Sequence, residues 1–165
     1  DDLLVIPELE SYSLKFNIEP TDLSNSIFQV IDYLNTNETE IKQEIAPDLN
    51  WIMADKYRIE QILINLVDNA IKYSLDNKTV KIEAKNEGNI PVVRIINKCE
   101  KIEEEIKNKL FEKFTRADSE LTRSTRGTGL GLYIVKGLCA AMKIDISFTC
   151  EEEFVMELKF NDYIE

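Results

Sequence analysis

Gln61-Ile-Leu-Ile-Asn-Leu-Val-Asp-Asn-Ala-Ile-Lys-Tyr-Ser74 is the stretch whose reading decides the fold. With Ile59, the apolar residues Ile62, Leu63, Leu66, Val67, Ala70 and Ile71 recur at spacings of three and four, which predicts one buried face of an amphipathic helix. Gln61, Asn65, Asp68, Asn69 and Lys72 share the opposite face. The bland reading is a solvated polar face. Asparagine inside a helix costs roughly 0.5–0.7 kcal/mol relative to alanine, and here two occur one turn apart. An amide oxygen is a hard, uncharged ligand that suits magnesium, so a metal site on this helix stands beside the bland reading.

Working outward, Gly127-Thr-Gly-Leu-Gly-Leu132 holds three of the five glycines of the chain at alternate positions. The helical pattern Leu130, Ile134, Val135, Leu138 and Ala141 follows. Glycines before a helix let backbone approach an anion, which free amides and the helix dipole then stabilise. The alternative is a flexible turn at a helix start. No Gly-Lys-Ser/Thr occurs and no strong strand leads into the glycines, so this is neither a Walker loop nor a dinucleotide fingerprint.

The 165 residues, 44% hydrophobic and 31% charged, predict one globular domain with a real core. No apolar stretch reaches 18 residues and no signal peptide opens the chain, so the expected setting is cytoplasmic, with any membrane anchor lying upstream. A formal charge of −11 argues against a nucleic-acid partner, which would require a basic stripe. Cys99, Cys139 and Cys150 are odd in number and lack metal-ligand spacing, so they read as free thiols of a reducing compartment. With no histidine in the chain, Ser-His-Asp catalysis, an activated cysteine and histidine-ligated zinc are all excluded.

Residues 1–12, with Leu3, Leu4, Ile6 and Leu9, read as the end of a helix begun upstream. Ser13–Ile18 alternates like a strand, and Pro20-Thr21-Asp22 starts a helix through about Leu34. Strands are expected at Glu40–Ile45, Asn50–Ala54, Val80–Ala84, Val92–Ile96, Asp145–Thr149 and Phe154–Phe160. Asp55 is placed to cap the asparagine-bearing helix. Lys101–Phe114 reads as a charged helical piece, and Thr115–Arg126, polar and without periodicity, as part of a lid over about 103–126. This order predicts an α/β two-layer sandwich whose mixed, mostly antiparallel sheet packs on helices.

With the asparagine helix, Leu110-Phe-Glu-Lys-Phe-Thr-Arg116 and the glycine run in this order, the chain resembles the catalytic and ATP-binding domain of sensor histidine kinases. That family belongs to the gyrase, Hsp90 and MutL ATPase superfamily, with its Bergerat-type fold. Glu19-Pro-Thr-Asp-Leu23 and Ala54-Asp-Lys-Tyr-Arg-Ile59 extend the likeness over nearly the whole chain. The resemblance implies a catalytic domain at 13–165 preceded by the end of a dimerisation and phosphoacceptor helix. It implies ATP and Mg2+ as ligands, with Asn69 the metal ligand and Asn65, Lys72 and Arg116 the catalytic set. Asn65 would sit beside the metal-bound phosphates, with Lys72 and Tyr73 along phosphates and ribose. Arg116 would reach the γ-phosphate, with Arg123 and Arg126 further candidates. Gly127, Thr128, Gly129, Leu130, Gly131 and Leu132 would frame the phosphates, and Phe111 and Phe114 would anchor the lid.

The chain also departs from that pattern. Asn97-Lys98-Cys99-Glu100-Lys101 stands where the family places Asp-x-Gly-x-Gly for adenine recognition. Asn97 can still accept from the adenine amino group, but Cys99 and Lys101 replace glycines and bring side chains toward the base. Lys143-Ile144 replaces Gly-Gly, and Glu151-Glu152-Glu153 replaces a late glycine turn. The resemblance implies transfer of the ATP γ-phosphoryl to a histidine on a separate helical domain of the same protein, a homodimer when whole, for relay to a response regulator receiver domain. The alternatives are a pseudokinase module that signals through contacts, or a clamp-gating ATPase as in the wider superfamily.

Overall fold

Asp55 ends an extended segment and accepts the Arg58 backbone N–H at 3.2 Å, starting the longest helix of the chain. The computed structural model describes residues 2–35, 37–75, 79–116 and 127–165. Its elements, in chain order, are α1 (Asp2–Glu10), β1 (Glu19–Thr21), α2 (Leu23–Leu34), β2 (Glu40–Ile45), β3 (Trp51–Ala54), α3 (Lys56–Tyr73) and β4 (Thr79–Glu87). There follow β5 (Ile90–Asn97), α4 (Glu104–Asn108), α5 (Gly131–Ala141), β6 (Ile144–Cys150), β7 (Phe154–Phe160) and β8 (Tyr163–Ile164).

The main sheet runs β2-β4-β5-β7-β6. Only β2 and β4 pair in parallel; the remaining neighbours in this sheet are antiparallel. A small sheet, β1-β3-β8, closes one end. Successive strand residues face opposite sides, so Val80, Ile82 and Ala84 of β4 are buried while Lys81 bonds Glu44 and Glu83 on the solvent face. Helices α3 and α5 cover the buried face and α2 packs on α3, which gives the expected α/β two-layer sandwich.

The apolar stripe of α3 does what its spacing predicts. Ile59, Ile62, Leu63, Leu66, Val67 and Ala70 are all buried, while Ile71 is half-buried at the edge of the core. Each large aliphatic side chain contributes about 1.5–3 kcal/mol on burial, which outweighs the roughly 0.5–0.7 kcal/mol that each asparagine costs the helix. The helix therefore holds its polar face in place at small expense. Asp22 caps α2 in the same way as Asp55 caps α3, accepting Asn25 N–H at 3.0 Å.

Three local expectations change. Ser13–Ile18 forms no strand; pairing begins at Glu19, where the register with β3 starts and Thr21 Oγ1 donates to the Ala54 carbonyl at 3.1 Å. The helix expected over Lys101–Phe114 shortens to α4, because the chain turns through Lys109–Phe114 and Phe114 takes φ +63°. Ala141 is exposed at the end of α5, and Cys139 and Met142 fill the core instead. Of the positions where the family pattern implies glycine, Lys143 is accommodated locally. Lys143 takes the left-handed φ of +57° that glycine would favour, and its carbonyl accepts both the N–H and the side-chain amide of Asn161 at 3.2 Å.

Candidate functional site

The polar face of α3 forms one wall of a cleft of about 810 Å³, within the roughly 300–1,000 Å³ range of small-molecule sites. Asn65, Asp68, Asn69, Lys72 and Tyr73 line it, and the Gly127–Leu132 segment faces them. Gln61, expected on this face, is held by Arg58 at 2.9 Å and lies outside the lining.

The floor comes from the sheet. Ile95 of β5 stands opposite Met156 of β7, and Asn97 opposite Phe154, so alternate residues of two paired strands present one apolar surface with an amide at its edge. Asn97 is 4% exposed and donates its Nδ2 to the Lys98 carbonyl at 3.2 Å. The same carbonyl accepts Leu75 N–H at 3.0 Å, tying the end of α3 to the residues after β5. With Nδ2 engaged there, Oδ1 is the acceptor side of that amide. Cys99 and Lys101, expected at glycine positions of the family pattern, both line the cleft.

Two glycines of the loop leave little room for a side chain, one against backbone and one against an amide side chain. A Cβ on Gly131 would stand 2.9 Å from Asn65 Oδ1, and one on Gly129 would meet the Phe114 C and Cα atoms at 2.8 Å. Gly129 also takes φ +71°, and its carbonyl accepts Phe114 N–H at 2.9 Å. The glycine loop is thus wedged between the asparagine helix and the 111–116 segment. Helix α5 begins at Gly131 with no side-chain cap, unlike α2 and α3, which leaves its first amides without a side-chain acceptor, and Gly131 and Leu132 of its first turn line the cleft. Uncapped amides at a helix start, beside glycine backbone, suit a phosphate.

The cationic groups are in position but engaged. Lys72 Nζ bonds Asp68 Oδ2 at 2.7 Å, and Arg116 Nη1 donates to the Gly127 carbonyl at 3.2 Å. The Lys72–Asp68 pair is partly exposed, so opening it costs on the order of 1 kcal/mol or less.

Residues 54–162 match the family described as Histidine kinase-, DNA gyrase B-, and HSP90-like ATPase. The chain belongs to this ATPase family. Among relatives, the sensor histidine kinase YkoH of Bacillus subtilis is 34% identical over 135 residues, 81% of this chain and 29% of YkoH. The signal transduction histidine-protein kinase BarA of Escherichia coli is 32% identical over 157 residues, 90% of this chain and 17% of BarA. The chain therefore spans less than a third of either curated relative. Histidine kinase AdeS of Acinetobacter baumannii aligns with TM-score 0.76 at 26% identity, covering 98% of this chain and 76% of AdeS. Full-length ShkA, in complex with AMPPNP, aligns with TM-score 0.83 at 23% identity, covering 99% of this chain and 35% of ShkA, and supports the fold.

The ATPase domain brings together most residues singled out from sequence. Asn65, Asn69, Lys72, Tyr73, Asn97, Arg116, Gly127, Thr128, Gly129, Gly131 and Leu132 all line the one cleft. Leu130 does not: it is 2% exposed in the core, because the apolar pattern of α5 starts there, and only its backbone belongs to the loop. Arg123 and Arg126 lie outside the described residues, as does the 117–126 part of the expected lid. Phe111 packs on the core, 5.9 Å ring to ring from Phe148, whereas Phe114 is 72% exposed, since its backbone occupies the contact with Gly129 and its ring turns outward. Phe111 alone of the two anchors its segment through the side chain. Sequence reasoning missed Ile95, Phe154 and Met156, since a floor made by strand pairing leaves no local signal beyond the strands themselves.

Proposed function

We propose that the cleft binds ATP with Mg2+ and that the domain delivers the γ-phosphoryl to a histidine on a helical domain of the same protein. A response regulator receiver domain would then take the phosphoryl group. The observation that carries this reading is the seating of Gly131 against Asn65 Oδ1, which sets uncapped amides of α5 beside the amide face of α3.

The residues fit both ligands. The apolar floor of Ile95, Phe154 and Met156 suits a purine face, and Asn97 Oδ1 suits its exocyclic amino group. The Asn69 side-chain oxygen would hold the magnesium ion, a hard cation matched to oxygen ligands. When bound, magnesium offsets charge on the phosphate oxygens. Asn65 would orient the phosphates from the next turn of α3, Lys72 would exchange Asp68 for a phosphate oxygen, and Arg116 would neutralise charge developing at the γ-phosphoryl. The backbone amides of Gly127–Leu132 would hold the phosphates by dipole and hydrogen bond. Catalysis by this chain is positioning and charge neutralisation, with no covalent step on it.

Among the described residues no helix is long and apolar enough to cross a membrane. We place the domain in the cytoplasm as part of a homodimeric sensor kinase, α1 continuing the dimerisation helix. The intact cleft and the sensor-kinase relatives do not favour a pseudokinase. The test is transfer of label from γ-labelled ATP to the histidine domain supplied with this chain. Acid-labile label on that domain is expected, falling about 10²-fold or more with Arg116→Ala. Label on serine or threonine, or none, would refute the reading.

A further inference from the structure

Two thiols meet at the base end of the cleft. Cys99 follows β5 by two residues and Cys150 ends β6, two strands away across the sheet, yet their Sγ atoms lie 3.6 Å apart. The register explains the meeting. Asn97 pairs with Phe154 and Phe154 with Cys150, so the three form one row across β5, β7 and β6, and the chain after Asn97 crosses that row to bring Cys99 over Cys150. Both cysteines are half-buried and reduced. Cys99 lines the cleft and Cys150 does not.

We propose that Cys99 and Cys150 are a redox-modified pair whose disulfide, formed by a hydroperoxide, tightens nucleotide binding. The coupling rests on the nucleotide reading above; the pair itself does not. In the first step the Cys150 sulfur attacks the peroxide, the O–O bond breaks, water or an alcohol leaves, and Cys150 becomes a sulfenic acid. In the second step Cys99 attacks Cys150 Sγ, the S–S bond forms, the S–O bond breaks, and the departing hydroxide takes the Cys99 proton as water. Two thiols and one hydroperoxide give one disulfide, one alcohol or water, and one water. Burial, then the Cys150 sulfur beside it, pushes the Cys99 thiol up to about 12, which disfavours its thiolate and so disfavours Cys99 as the first attacker on the peroxide.

The geometry sets the direction of the effect. Closing the sulfurs to about 2.0 Å draws Cys99 toward the edge strand β6 and away from the cleft. That relieves the side chain crowding the base. It also fixes residues 98–103, an irregular wall with no ladder hydrogen bonds of its own, to the end of the sheet. Less crowding and a wall already ordered act in the same direction.

The experiment treats this chain with hydrogen peroxide, blocks remaining thiols, and maps the bridge by mass spectrometry without reduction. A Cys99–Cys150 crosslink with Cys139 alkylated is expected, reversed by dithiothreitol. Its absence, or a bridge to buried Cys139, overturns the site. ATP is then titrated against the oxidised and reduced forms. Affinity is expected to rise roughly threefold or more on oxidation, and not at all in Cys150→Ser. Equal or weaker binding after oxidation overturns the coupling. If neither the reduced nor the oxidised protein binds ATP, the nucleotide reading and the coupling both fall, while the crosslink map still decides the thiol pair.

Discussion

Gly129→Ala tests whether the glycine loop is held as tightly as its contacts imply. The added Cβ would meet the Phe114 C and Cα atoms at 2.8 Å and the Thr115 N at 3.2 Å. All three are backbone atoms, and the Phe114 N–H to Gly129 carbonyl bond keeps the two segments together. The left-handed φ of +71° adds about 1–2 kcal/mol for a residue with a Cβ, and overpacking a rigid contact about 1–3 kcal/mol. Reduced freedom of the unfolded chain returns about 0.4–1 kcal/mol. A net loss of about 1–4.6 kcal/mol is expected, read as a lower urea midpoint with unchanged slope by circular dichroism. Gly127→Ala is the control: among the described residues nothing lies within 4 Å of its added Cβ, so only the unfolded-chain effect remains and the variant should be unchanged or more stable by up to about 1 kcal/mol. Equal, small effects at both positions would refute the wedged-loop argument.

Other consequences follow from particular contacts. Gly131→Ala should push the Asn65 side chain from its place, 2.9 Å from the new Cβ, and weaken ATP binding more than it lowers the urea midpoint; the reverse ranking would mean Asn65 does not serve the cleft. Lys143→Gly should stabilise the fold by up to about 1 kcal/mol by relieving φ +57°, since the lost ion pair to Asp162 is exposed; a less stable variant would count against strain there. Burial pushes the Cys139 thiol from its ordinary 9.0 up to about 12, so the folded chain keeps a proton that the unfolded chain releases. Stability present below pH 9 should therefore fall as pH rises toward 12, and Cys139→Ala should flatten that decline; parallel curves for parent and variant would contradict it.

Much of this was legible because it is local. Asp55 and the three-four spacing placed α3, and the glycine run placed the start of α5, so the two halves of the phosphate end could be read separately. That they face each other is a tertiary fact, visible only in the contact of Gly131 with Asn65. Strand pairing is equally remote in sequence. Neither the parallel pairing of β2 with β4 nor the row Asn97, Phe154, Cys150 leaves a trace in either strand alone. Phe114 read as a lid anchor from the family resemblance, but its backbone meets Gly129 and its ring turns outward. Lys143 showed the converse, a missing glycine whose left-handed turn persists with Asn161 bonded to its carbonyl.

The central claim is a magnesium-dependent adenine nucleotide site on α3 and the glycine loop. Its most direct test is calorimetric titration of the reduced chain with ATP, with and without magnesium, with GTP as control and Asn69→Ala beside the parent. The account predicts binding that requires magnesium, prefers ATP to GTP, and is lost in Asn69→Ala while the circular dichroism spectrum is kept. No heat at millimolar nucleotide, or undiminished Mg-ATP binding by the variant, would contradict it.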